Sequence, residues 1–133
     1  MTIHTFKKEE RLTSKKTFDL LFSSGKSIVV SPFRLVWVEK TLPTPNSHLR
    51  TSVFAQLGIS VPKKLFSKAV QRNRIKRRIR EAYRKNKGLL YDVLQKKNLH
   101  IAWIVIYISQ DELSYQEIEK KMIISLQKLK DKI

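Results

Sequence analysis

Hydrophobic and polar positions divide the chain into alternating helical and extended segments. Thr13 or Ser14 can cap a helix through about residue 23, and Phe18, Leu21 and Phe22 then recur at helical spacing. Gly25 stands where such a helix commonly ends. Residues 33–40 alternate as a strand, with Phe33, Leu35 and Trp37 on one face and Arg34, Val36 and Val38 on the other. Pro, Asn and Ser then mark a loop over 42–51. Residues 53–61 alternate again, with Val53, Ala55, Leu57, Ile59 and Val61 sharing a face before Pro62 stops the strand. Two strands joined in this way are expected to pair as an antiparallel hairpin.

A helix is predicted over 67–87, with Gly88 as its C-terminal stop. Residues 100–109 form the most apolar strand, and the unbroken run 101–108 points to burial on both faces. Ser114 and Glu117 fit a capping box opening a last helix, in which Tyr115, Ile118, Met122, Leu126 and Leu129 keep helical spacing. The order is α-β-β-α-β-α, with an extra short strand near 28–30. It predicts an α+β fold, a two-layer α-β sandwich with helices packed against a single sheet.

Length and composition narrow the class. A chain of 133 residues, 41% hydrophobic, is expected to form one domain over 1–133 with a packed core. Cysteine is absent from the sequence, which removes disulfide frameworks, thiol nucleophiles and Cys-based zinc sites. The longest apolar run is far too short to span a bilayer, and residues 1–30 lack the order of a signal peptide. Lys and Arg number 28 against 11 Asp and Glu, a net charge of +17. The expectation is a soluble, cytoplasmic protein, without membrane association, whose partner is a polyanion.

The charge is concentrated. Residues 63–87 hold twelve basic side chains and one acid, Glu81, whereas 110–133 hold five of each sign. A solvated helix face usually alternates its charges at i,i+4; here the signs match, so the face repels itself unless an anion covers it. At about 100° per residue, Ile75, Ile79, Ala82 and Tyr83 share an arc that would face the sheet. Asn73, Arg77, Arg80 and Arg84 lie nearly opposite, flanked by Arg74 and Arg78 on one side and Lys76 on the other. Guanidinium groups hold phosphate oxygens bidentately and stack on bases. Lys63 and Lys64 extend the positive surface toward the helix start, where the macrodipole adds to it.

DNA reading would need a helix-turn-helix partner, zinc ligands or a zipper, and none is visible, so no DNA partner is expected. RNA is recognised through shape, phosphates and stacking. Phe18 and Phe22, at i and i+4, suit either a stacking platform or the core. No catalytic constellation emerges. His4, His48 and His100 are scattered, Asp111 and Glu112 lack a third acidic neighbour, and Gly25, Gly58 and Gly88 cannot form a phosphate loop. From the residues alone this is a binding protein without catalytic residues or a metal site of its own.

The run Leu-Gly-Ile-Ser-Val-Pro-Lys-Lys at 57–64 and the run from Ala69 to Tyr83, with Arg-Asn-Arg-Ile-Lys-Arg at 72–77, closely resemble the bacterial ribonuclease P protein subunit. Arg11, Leu12, Phe18, Phe22 and Gly25 fall at the family's spacings, so the resemblance covers roughly residues 6–126. It implies a left-handed β-α-β crossover, an exception to the usual handedness. It also implies a ribonucleoprotein in which a large RNA and its bound Mg²⁺ ions cut the 5′ leader from precursor tRNA. By the resemblance, Lys63, Lys64, Lys68, Arg72, Asn73, Arg74, Lys76, Arg77, Arg78 and Arg80 bind the catalytic RNA. Phe18 and Phe22 would line the cleft for the single-stranded leader, together with Val36, where members often carry an aromatic residue. The alternative is a ribosomal-type or other structured-RNA binding protein with no enzymatic partner. A self-sufficient nuclease would need a carboxylate cluster for metals.

Overall fold

The computed structural model describes Phe6, residues 10–40 and residues 54–133. The predicted loop at 42–51 and Val53 lie outside the described residues. The elements are α1 (Lys15–Ser24), β1 (Lys26–Val30), β2 (Phe33–Lys40), β3 (Ala55–Ser60), α2 (Ala69–Asn86), α3 (Gly88–Lys97), β4 (His100–Tyr107) and α4 (Tyr115–Lys132).

The sheet is organised around β4, whose side chains are buried on both faces with Ile106 alone half-buried. A strand without a polar face is most stable between two others, and the strand order is β1-β2-β4-β3. β2 runs antiparallel to β4 from Phe33 opposite Tyr107 to Lys40 opposite His100. β3 runs parallel to β4, from Ala55 beside Ile101 to Ser60 beside Ile106. The expected hairpin between the second and third strands therefore does not form, because β4 is inserted between them. The hairpin is instead β1–β2, closed at the cis Ser31–Pro32 peptide, and β1 is the short strand foreseen near 28–30. Parallel β3 and β4 need a crossover, which α2 and α3 supply.

Gly88 does not stop the basic helix. α2 ends at Asn86, Lys87 keeps right-handed helical angles, and Gly88 opens α3. The stop falls at Asn98, whose φ of 50° is left-handed and whose N–H donates to the carbonyls of Gln95 and Leu94. Asn is among the few non-glycine residues that adopt this conformation readily.

The principal core joins one sheet face, with Phe33, Leu35, Trp37, Trp103 and Tyr107, to helices α2, α3 and α4. Ile75, Ile79, Ala82 and Tyr83 are all buried there, as the wheel predicts. From α4, Ile118, Met122, Leu126 and Leu129 are buried, and Ser114 Oγ accepts the Glu117 N–H at 3.3 Å. A second cluster lies on the opposite sheet face, where Leu12 and Leu21 cover Val36, Ala102 and Ile104.

Gly25 closes α1, though not through a left-handed turn: its backbone is extended and its N–H donates to the Leu21 carbonyl at 2.9 Å. A Cβ here would run into that carbonyl and lie 2.7 Å from Val36 Cγ1. Gly25→Ala should therefore destabilise the fold by about 1–3 kcal/mol, as overpacking generally does. Urea unfolding checks this; an unchanged midpoint would mean that α1 can lift from the sheet at no cost.

Candidate nucleic-acid interface

The positive surface starts where β3 hands over to α2. Lys63 and Lys64 are exposed in the connecting turn, and Lys68 occupies the N-cap without a side-chain cap for the first turn. The amides at a helix start then add their partial positive charge to the lysines. Arg72 reaches back from the helix, its Nη1 donating to the carbonyls of Phe66 at 2.8 Å and Ser67 at 2.9 Å. Its guanidinium thus pins the lysine-bearing turn to α2.

Asn73, Arg74, Arg77 and Arg80 are exposed along the helix, with Lys76 and Arg78 half-buried. The face does not simply repel itself. Glu112, on the segment entering α4, accepts from Arg74 Nε at 2.5 Å and Nη2 at 2.8 Å, and from Arg78 Nη1 at 3.1 Å. Arg78 also donates to the Leu113 carbonyl at 2.8 Å. The Arg74 hydrogen bond above all holds the Glu112 carboxyl below the usual carboxylate range. Arg84 pairs with Glu81 one turn away at 2.6 Å. No carboxylate among the described residues pairs with Arg77 or Arg80. Burial, then the charges of Arg11 and Arg77, push the Arg80 pKa down from the ordinary arginine value.

An N-terminal strap completes this surface. Leu12 N–H donates to the Leu57 carbonyl at 3.0 Å, laying Arg11 beside α2. The strap is anchored by Glu10 and Lys87, only 4% and 3% exposed, with Nζ 2.7 and 2.6 Å from the two carboxylate oxygens. The Tyr91 hydroxyl donates to the same carboxylate at 2.8 Å. Charge counting places Lys87 with the exposed basic residues; it is a buried anchor. Its partner stands 77 positions away, so no local pattern identifies the pair.

The candidate leader residues lie on the other side of the sheet. Phe18 is half-buried, its ring seated against Gly58, where a Cβ would meet Cε1 and Cζ at 3.1 Å. Phe22 is 64% exposed, whereas Val36 is buried beneath the end of α1. Beyond α1 the same face is open along Val29, Arg34, Ile106 and Ser60, which strand register aligns across the sheet. The three positions are thus neighbours in the fold, but Phe22 is the one that projects into solvent.

Among the described residues, no three His, Asp or Glu side chains converge as metal ligands, and no helix is long and apolar enough to cross a membrane.

A four-stranded α+β scaffold carrying a guanidinium-rich crossover helix and an aromatic-edged open sheet face defines a polyanion-binding protein. The Ribonuclease P family model matches residues 6–130. The ribonuclease P protein component of Porphyromonas gingivalis is 39% identical over 120 residues, spanning 90% of this chain and 82% of that one. The RNase P protein of Thermotoga maritima superposes with a TM-score of 0.67 at 25% identity, covering 90% of this chain and 96% of that one. The Staphylococcus aureus RNase P protein does so with 0.65 and 25%, covering 90% and 94%. The chain belongs to the ribonuclease P protein family.

Proposed function

We propose that the chain is the accessory protein of ribonuclease P, binding the catalytic RNA and the 5′ leader of precursor tRNA. The observation that carries this reading is the exposed guanidinium face of α2, where no described carboxylate matches Arg77 or Arg80, in a member of this family. Such a face offsets the repulsion between two RNAs brought together. Arg72, Arg74 and Arg78 contribute differently from Arg77 and Arg80, because their guanidiniums already hold backbone or Glu112. They stiffen the surface that Lys63, Lys64, Lys68, Asn73, Lys76, Arg77 and Arg80 present. Phosphodiester cleavage belongs to the RNA, which would also bind most of the Mg²⁺.

Leader recognition falls to the open sheet face. Phe22 offers a ring to an unpaired base, Phe18 supports it from its seat on Gly58, and Arg34 supplies a charge for the backbone. Val36 lies too deep to stack and serves as floor. Contacts of this kind favour precursor over mature tRNA, since only the precursor carries a leader.

The test compares precursor and mature tRNA binding to the assembled ribonucleoprotein. Wild type should prefer the precursor. Phe22→Ala should weaken precursor binding by about tenfold, within the usual range for one stacked base, while sparing mature tRNA and stability. Equal losses for both tRNAs would remove Phe22 from the leader site.

A further inference from the structure

Between the N-terminal strap and α2 lies a cavity of about 500 Å³. That is within the roughly 300–1,000 Å³ of small-molecule sites. Phe6 and Tyr115 give it aromatic surface, Arg11, Arg77, Arg78, Arg80 and Arg84 give it guanidinium groups, and Glu81 is the one carboxylate in its lining. A smaller hollow of about 180 Å³ shares Phe6, Arg11 and Arg80 with it and continues past Leu57 toward Lys76.

Among the described residues the converging charges are only partly compensated. Glu81 matches Arg84, and Glu112 draws Arg78 away, but no described carboxylate pairs with Arg11, Arg77 or Arg80. An anion would balance these charges, and the lowered Arg80 pKa agrees with that geometry. A site for phosphate alone would gain nothing from aromatic walls. Guanidinium and aromatic surface side by side are what a nucleotide requires, one for the phosphate and the other for the base.

The walls are also held in place before any ligand arrives. Phe6 stands edge-on to Tyr83 at 5.7 Å, with the Arg11 guanidinium 5.5 Å from its ring centre. Tyr115 is tied through its hydroxyl to Glu119 at 3.2 Å and has Lys85 over its ring. Burial of Glu10 and Lys87 fixes the strap that carries Arg11. Little ordering cost then remains for binding.

We propose that this cavity takes one unstacked nucleotide, its base against the Phe6 and Tyr115 walls and its phosphate on Arg77 and Arg80. This deepens the accessory-protein reading and rests on it for the source of the nucleotide: an extruded residue of an RNA strand. A free nucleotide has the same chemistry.

Titration of the full chain with AMP, ribose 5-phosphate and a short oligoadenylate tests the site at constant ionic strength. AMP should bind at least about tenfold more tightly than ribose 5-phosphate, the difference expected of one stacked base. Phe6→Leu and Tyr115→Leu should each erode that preference while leaving ribose 5-phosphate binding unchanged, and Arg80→Gln should weaken both ligands. If Phe6→Leu fails to fold by circular dichroism, Tyr115→Leu carries the test. Oligoadenylate displaced by AMP in a one-to-one competition supports the site with an RNA strand as source; AMP binding without oligoadenylate binding supports it with a free nucleotide. Equal affinity for AMP and ribose 5-phosphate, or a preference untouched by both aromatic substitutions, overturns the site. Assembly with ribonuclease P RNA, measured on the same samples, reports separately on the accessory-protein reading.

Discussion

Lys87→Ala is expected to lower stability by about 3–5 kcal/mol, the usual loss when one member of a buried ion pair is removed. The side chain is buried, and its Nζ lies within hydrogen-bond distance of both Glu10 oxygens. Truncation leaves the carboxylate desolvated and without its cation, a much larger penalty than loss of a surface pair. Against a total stability of about 5–15 kcal/mol for a typical domain, that loss is severe. Replacing the pair together, as Lys87→Met with Glu10→Leu, should recover most of it, because apolar residues of similar volume carry no desolvation penalty. Urea unfolding of the single and double variants provides the measurement. A single variant within about 1 kcal/mol of wild type would show that the strap is not held by this pair. The consequence reaches the basic face, since the strap places Arg11 beside α2.

Combined replacement of Arg77 and Arg80 by alanine should give the largest loss in RNA assembly, at least about tenfold at low salt, with stability changed by no more than about 0.5 kcal/mol. Both side chains are exposed, and neither holds a described carboxylate. The salt dependence provides the specific signature. Each lost phosphate contact makes the fall of log K with log salt shallower by nearly one unit. The gap between wild type and variant therefore narrows as salt rises. Arg74→Ala is a less clean probe because it also breaks the Glu112 bridge. Unchanged affinity and slope in the double variant would take these two arginines off the interface.

What could be read from the sequence was governed by the distance over which each feature is determined. The buried face of α2 and the Ser114 cap follow from neighbours three or four positions apart, and both are as predicted. The apolar run of β4 signals burial on both faces, yet periodicity says nothing of which strands flank it. Adjacent β2 and β3 therefore suggest a hairpin, and the more favourable central position of β4 overrides it. α3 was concealed because Gly88 resembles a helix stop, although Leu90, Leu94 and the left-handed Asn98 mark a further helix. At the candidate site, charge density points to α2, whose basic side chains are exposed along one face. The division of labour along it depends on Glu112, 38 positions from Arg74, and on backbone carbonyls exposed only by the folded turn at Phe66 and Ser67. The family's aromatic position, held here by Val36, shows the same limit: alternation puts it on the correct face, and only the approach of Gly25 shows that it is covered.

The most direct measurement adds the purified protein to ribonuclease P RNA and precursor tRNA at a Mg²⁺ concentration too low for the RNA alone. Restored cleavage at the 5′ end, lost when Arg77 and Arg80 are both alanine, is the predicted result. Tight RNA binding without cleavage would instead identify a structured-RNA binding protein with no enzymatic partner, and cleavage without added RNA would contradict an accessory role altogether.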